Sequence, residues 1–91
     1  MTLSEANVPR LARGYRLRQD AARGRTVVLG PERVFEADET ALAILSLVDG
    51  ARPVAAIIDT LAAQYAAPRE EIATDVLEML ADLTVSGVIA P

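Results

Sequence analysis

Val27-Val-Leu-Gly-Pro-Glu-Arg-Val-Phe-Glu-Ala-Asp-Glu-Thr-Ala-Leu-Ala-Ile-Leu-Ser-Leu-Val-Asp-Gly50 reads as a strand, a tight Gly30-Pro31 turn, a second short strand and a helix closed by Asp49-Gly50. Val27, Val28 and Leu29 form a β-branched, apolar run of strand type, and Gly-Pro is a strong turn signal. Arg33-Val-Phe-Glu36 is the next short strand. Asp38 is a good N-cap, because its carboxylate can accept from an unpaired amide of the first helical turn. Ala41, Ile44, Leu45 and Val48 then recur at i, i+3, i+4 and i+7, one apolar stripe of an amphipathic helix. Gly50 fits the left-handed residue that ends a helix. A hydrophobic strand beside a helix, with no catalytic side chain between them, has the character of a peptide-docking place.

Upstream, Tyr15-Arg-Leu-Arg-Gln-Asp20 alternates, with Tyr15, Leu17 and Gln19 on one face and Arg16, Arg18 and Asp20 on the other. That is a half-buried strand, and Ala21-Ala-Arg-Gly24 supplies a hairpin loop back into Arg25–Leu29. Residues 1–13 carry no clear period, and Pro9 interrupts them, so they are expected to form a flexible N-terminal arm ahead of one domain over 14–91. Downstream, Pro53 opens a second helix with the stripe Val54, Ile57, Ile58, Leu61. Pro68 opens a third, with Glu70 and Glu71 complementing the helix dipole and a core stripe of Ile72, Val76, Met79, Leu80 and Leu83. Val88-Ile89-Ala90 adds a short extended piece. The expected fold is α+β and winged-helix-like: a three-stranded antiparallel sheet followed by three helices.

Composition limits the chemistry. The 91 residues include no His, Cys, Trp or Lys, and the core must come from Leu, Val, Ile and Ala because aromatics are 3% of the chain. The missing types are the commonest metal ligands, the usual neutral-pH base, the thiol nucleophile and the Schiff-base amine. No enzyme activity, metal or cofactor is therefore expected. No apolar run is long enough to span a bilayer and no signal pattern opens the chain, so a cytoplasmic protein without a membrane partner is expected. Residues 1–33 hold seven Arg against three acids, net +4, and residues 34–91 hold two Arg against ten acids, net −8.

The two-helix arrangement invites a DNA-binding reading, but charge opposes it. Glu71, Asp75, Glu78 and Asp82 lie at i, i+4, i+7 and i+11 and make one acidic stripe on the third helix. Phosphates repel such a face, so no nucleic-acid partner is expected. The stripe is either a solvated face, a contact for a cationic partner, or partly neutralised by Arg16, Arg18 and Arg33. A second apolar row, Ala73, Leu77, Leu80, Ala81 and Thr84, broadens the apolar face of the same helix beyond what one neighbouring helix needs. Together with the Arg33–Glu36 strand edge it outlines a groove in which a peptide could add as a strand. The alternative is a small adaptor that binds a folded protein through the acidic face. An available strand edge also allows the chain to pair with itself as a homodimer.

With these segments placed, the chain resembles the pyrroloquinoline quinone (PQQ) biosynthesis protein D family. The resemblance lies in Arg-Gly-Tyr-Arg-Leu at 13–17, Val-Val-Leu-Gly-Pro-Glu at 27–32, Asp-Glu-Thr-Ala at 38–41, Leu-Val-Asp-Gly at 47–50 and Asp-Val-Leu-Glu-Met-Leu at 75–80. It covers nearly the whole chain in order. Thr26-Val27 departs from it, standing where a bulkier, often aromatic residue is expected. The resemblance implies a non-catalytic peptide chaperone. Such a protein binds the ribosomally made precursor peptide of PQQ and presents it to a radical S-adenosylmethionine (SAM) enzyme, which cross-links a Glu and a Tyr of the peptide. It also implies that the peptide adds beside the third strand, at Arg33, Val34, Phe35 and Glu36, and packs on a helix wall of Asp75, Val76, Leu77, Leu80 and Ala81.

Overall fold

The computed structural model describes residues 3–22, 24–35 and 37–90, with Arg33 and Phe35 described as backbone. Eight elements follow in order: β1 (Arg10–Leu11), β2 (Arg16–Asp20), β3 (Arg25–Gly30), β4 (Arg33–Phe35), α1 (Glu39–Leu45), α2 (Val54–Tyr65), α3 (Arg69–Val85) and β5 (Ile89–Ala90). The α+β class and the three-stranded antiparallel sheet agree with the sequence reading. The sheet order is β2-β3-β4, and β1 pairs with β5 in a separate two-stranded ribbon.

Local chemistry explains the sheet. In the β2–β3 hairpin, Leu17 pairs with Val28, Arg18 with Val27 and Arg16 with Leu29. Val28 belongs to the main core, with Leu17 packed against it, while Arg16 and Arg18 are exposed. The β3–β4 turn is two residues long, Pro31-Glu32, with Gly30 paired to Arg33. Glu32 takes φ 60° there, the left-handed conformation that the second position of a tight turn with Pro at the first commonly requires.

Asp38 caps α1 as its position suggested, its Oδ1 accepting from the Ala41 amide at 2.8 Å. The helix is shorter than the periodicity implies. It ends at Leu45, and the next amides, Leu47 and Val48, donate to Ile44 and Leu45 in tighter i→i+3 turns. Val48 is still buried, so the apolar stripe outlasts the helix. Gly50, with φ 76°, is not the helix cap; its amide donates to the Pro9 carbonyl at 3.1 Å. Pro53 and Pro68 each stand one residue before their helices, as N-caps without a side-chain hydrogen bond.

The segment expected to be a loose arm is not loose over its described part. Leu3 and Pro9 are buried, and Leu3 joins the core. Backbone carbonyls of Asn7 and Glu5 accept from the Val54 and Ala55 amides at 2.8 and 2.9 Å. These are orphan donors of the first turn of α2, which no side chain caps, so the N-terminal segment caps that helix itself. Arg69 at the start of α3 clasps it further, reaching Glu5 and Asp59 at 2.6 Å each. The physical reason for the correction is that the pairing uses main-chain groups, which carry no sequence period.

The core lies between the sheet and the helices. Ile44, Leu45, Val54, Ile57, Ile58, Val76 and Leu80 are its most enclosed side chains, closed off by Val28, Val88 and Ile89. No helix among the described residues is long and apolar enough to cross a membrane.

Candidate functional site

β4 is an edge strand: β3 covers one side, and among the described residues no strand pairs with the other. Its register places Phe35 opposite Val28, Val34 opposite Leu29 and Gly30 opposite Arg33. Val34 is 60% exposed, high for an apolar strand residue. An unpaired edge offers main-chain donors and acceptors to an incoming strand.

Beside this sheet lies an apolar cleft of about 260 Å³, lined by Val28, Ala37, Asp38, Ala41, Leu45, Met79, Leu83, Ser86 and Val88. A second hollow of about 300 Å³ shares Asp38 and Met79 with it and is otherwise lined by Thr40, Asp75, Glu78 and Asp82. The two adjoin at Asp38 and Met79 and make one groove between α1 and α3, with an apolar floor that reaches Val28 of the sheet and a carboxylate rim. Helix geometry explains the division. At about 100° per residue, Asp75, Met79, Asp82, Leu83 and Ser86 all fall within one sector of α3. A larger hollow of about 570 Å³ lies under the β2–β3 hairpin, among Arg18, Gln19, Asp20, Ala21, Ala22, Val27, Leu29 and Val34. It involves no helix, so it offers a strand no second wall.

The site residues read from sequence fare unequally. Arg33, Val34 and Phe35 form the open edge by their backbone, and Glu36 lies outside the described residues, as do the side chains of Arg33 and Phe35. Asp75 stands on the groove rim. Val76 and Leu80 are buried in the core and are no groove wall. Leu77 and Ala81 line neither hollow of the groove. Each is two residues from Met79, hence about 160° around the helix from it. Leu77 packs half-buried against the core, and Ala81 is exposed. From α3 the groove is lined by Met79, Asp82 and Leu83 next to Asp75 and Glu78, and it is faced by the N-cap Asp38 and by Ala41 and Leu45 of α1. The sequence carried one signal for this: Asp75, Met79, Asp82 and Ser86 recur at i, i+4, i+7 and i+11, a mixed row lying between the core and the solvated face.

Among the side chains that the structure describes none neutralises the rim, and that of Arg33 lies outside them. Among the described residues no arginine stands within ion-pair distance of Asp38, Asp75, Glu78 or Asp82. Arg16 and Arg18 are exposed on β2, and Arg69 is engaged with Glu5 and Asp59. The Arg69 hydrogen bond holds the Glu5 carboxyl below its ordinary value, and the same partners push the guanidinium up. Asp49, away from the groove, is lowered by the Ala51 and Arg52 amides that donate to it.

The family model described as coenzyme PQQ synthesis protein D (PqqD) matches residues 25–89. The PqqA binding protein of Rhodopseudomonas palustris (strain BisB5) is 53% identical over 89 residues, covering 98% of this chain and 87% of that protein. The bifunctional coenzyme PQQ synthesis protein C/D of Methylorubrum extorquens is 45% identical over 86 residues, 94% of this chain and 23% of that protein. Among solved structures, the solution NMR structure of the PqqD truncation of Methylobacterium extorquens PqqCD superposes with a TM-score of 0.81 at 43% identity, covering 99% of this chain and 96% of that one. That protein is described as a functional, stand-alone recognition element for ribosomally synthesized and post-translationally modified peptides (RiPPs). The crystal structure of PqqD from Xanthomonas campestris gives 0.56 at 42% identity, covering 93% of this chain and 94% of that one. With the family model matching most of its length, a relative 53% identical over 98% of it and a solved structure that superposes over 99% of it, this chain belongs to the coenzyme PQQ synthesis protein D family.

Proposed function

We propose that this chain is a non-catalytic peptide chaperone of PQQ biosynthesis, which binds a PqqA-type precursor peptide and presents it to the radical SAM enzyme of the pathway in the cytoplasm. The observation that carries the reading is the open β4 edge, one strand away from Val28 in the apolar groove of Met79, Leu83, Ala41 and Leu45. An extended peptide adding to β4 gains main-chain hydrogen bonds, while alternate side chains drop into the groove. A strand of about six residues spans roughly 20 Å, so the domain can hold one segment and leave the reacting part free. Ordering that segment lowers the entropic cost that the enzyme would otherwise meet, and tethering raises the peptide's effective concentration. The names of the relatives, PqqA binding protein and RiPP recognition element, point the same way.

Calorimetric titration with the PqqA peptide of the Rhodopseudomonas palustris relative tests this. Binding at one site is expected, and Leu83→Asp should weaken it by more than about tenfold by placing a carboxylate on the apolar floor. Wild-type affinity in a folded Leu83→Asp variant, checked by far-ultraviolet circular dichroism, would remove the groove from the account. The adaptor reading draws on Asp75, Glu78 and Asp82, the same carboxylates that rim the groove. A homodimer paired through β4 would occupy the same edge and compete with the peptide.

A further inference from the structure

We propose that the groove selects a cationic strand: a peptide segment that lowers an apolar side chain onto Met79 and Leu83 while a neighbouring Lys or Arg meets Asp75, Glu78 and Asp82. The inference rests on the peptide-binding reading above and adds the charge of the segment that is recognised.

Two observations converge on it. The rim carboxylates are exposed and unpaired among the described residues, so their field is available to a ligand. They adjoin an apolar hollow that includes Val28 of β3, the strand next to the open β4 edge, so the chemistry changes from oily to anionic along one groove.

The dimensions agree. Asp75 and Asp82 are seven residues apart on α3, about 10 Å of helix, matching about three residues of an extended strand. A strand with an apolar residue at one position and a basic residue one to three positions away therefore reaches both parts of the groove. An acidic residue at the basic position would meet like charge, and this repulsion is the source of discrimination. Because the contacts are solvated, the rim contributes through steering and modest pair energies, and its effect must fade with salt.

The test uses the intact protein and the same PqqA peptide. The isosteric variant D75N/E78Q/D82N changes exposed side chains only, so the fold should persist. Neutralising three solvated pairs is expected to weaken binding about tenfold. The wild-type affinity should fall as salt rises from about 0.01 M to about 1 M, where the screening length shrinks from roughly 30 Å to 3 Å. In the neutral variant most of that slope should vanish. Unchanged affinity and slope in the variant, or tighter binding, would overturn the inference. If Leu83→Asp abolishes binding while the rim variant does not matter, the groove stands and its charge selection falls. If neither change matters, or the peptide does not bind, the peptide-groove reading falls and the inference with it.

Discussion

Ala66 closes α2 in the left-handed conformation, φ 50°, with its amide donating to the Ala62 carbonyl. That position normally suits glycine, since a Cβ there crowds the backbone. Ala66→Gly is expected to raise stability by about 1 kcal/mol, read as a higher urea midpoint at unchanged slope. Gly30 presents the opposite case. A Cβ on it would stand 2.5 Å from Cε1 of Tyr15, whose ring lies over the strand at that point. Gly30→Ala should therefore lower stability by about 1–3 kcal/mol in the same measurement, because the ring must be displaced. The sequence showed Gly30-Pro31 as a turn and Ala66-Ala-Pro68 as a helix break. It did not show why glycine is needed at one and absent at the other, because the Tyr15 contact exists only once the chain has turned back on itself.

At the scale of elements, the helices and the three-stranded sheet were legible because their apolar residues follow periods of 3.6 and 2. The N-terminal segment was not legible, because it is held by carbonyls of Glu5, Asn7 and Pro9. One sign was present: no Ser, Thr, Asp or Asn precedes Val54, so the first amides of α2 needed an outside acceptor. Leu3→Ala should thus behave as a core mutation and lower stability by about 2–5 kcal/mol in chemical denaturation. The clasp adds a pH dependence. The Glu5 carboxyl, lowered mainly by its hydrogen bond from Arg69, contributes stability above the unfolded-state value and loses it as pH falls through the lowered folded value. Arg69→Met should flatten that acid-side slope in melting curves recorded across the carboxylate range. The change will be small, since both groups are solvated.

At the scale of the whole molecule, the β4 edge and Asp75 could be read from the sequence, but the rest of the helix wall could not. Leu77 stands beside the core stripe of α3 and Leu83 within it, and both pack half-buried against the core. Only the packing of the sheet and α1 against the helix decides which of them lines the groove, and that is Leu83. The acidic stripe was visible from its spacing, whereas its position on the rim of an apolar hollow was not.

The most direct measurement is an amide chemical-shift titration of the labelled protein with PqqA peptide. The largest shifts should fall on Arg33–Phe35, on Asp38 and Ala41, and on Asp75, Met79, Asp82 and Leu83. Shifts centred instead on Leu77, Ala81 and Val85, or on Arg16 and Arg18, with β4 silent, would contradict that placement of the peptide.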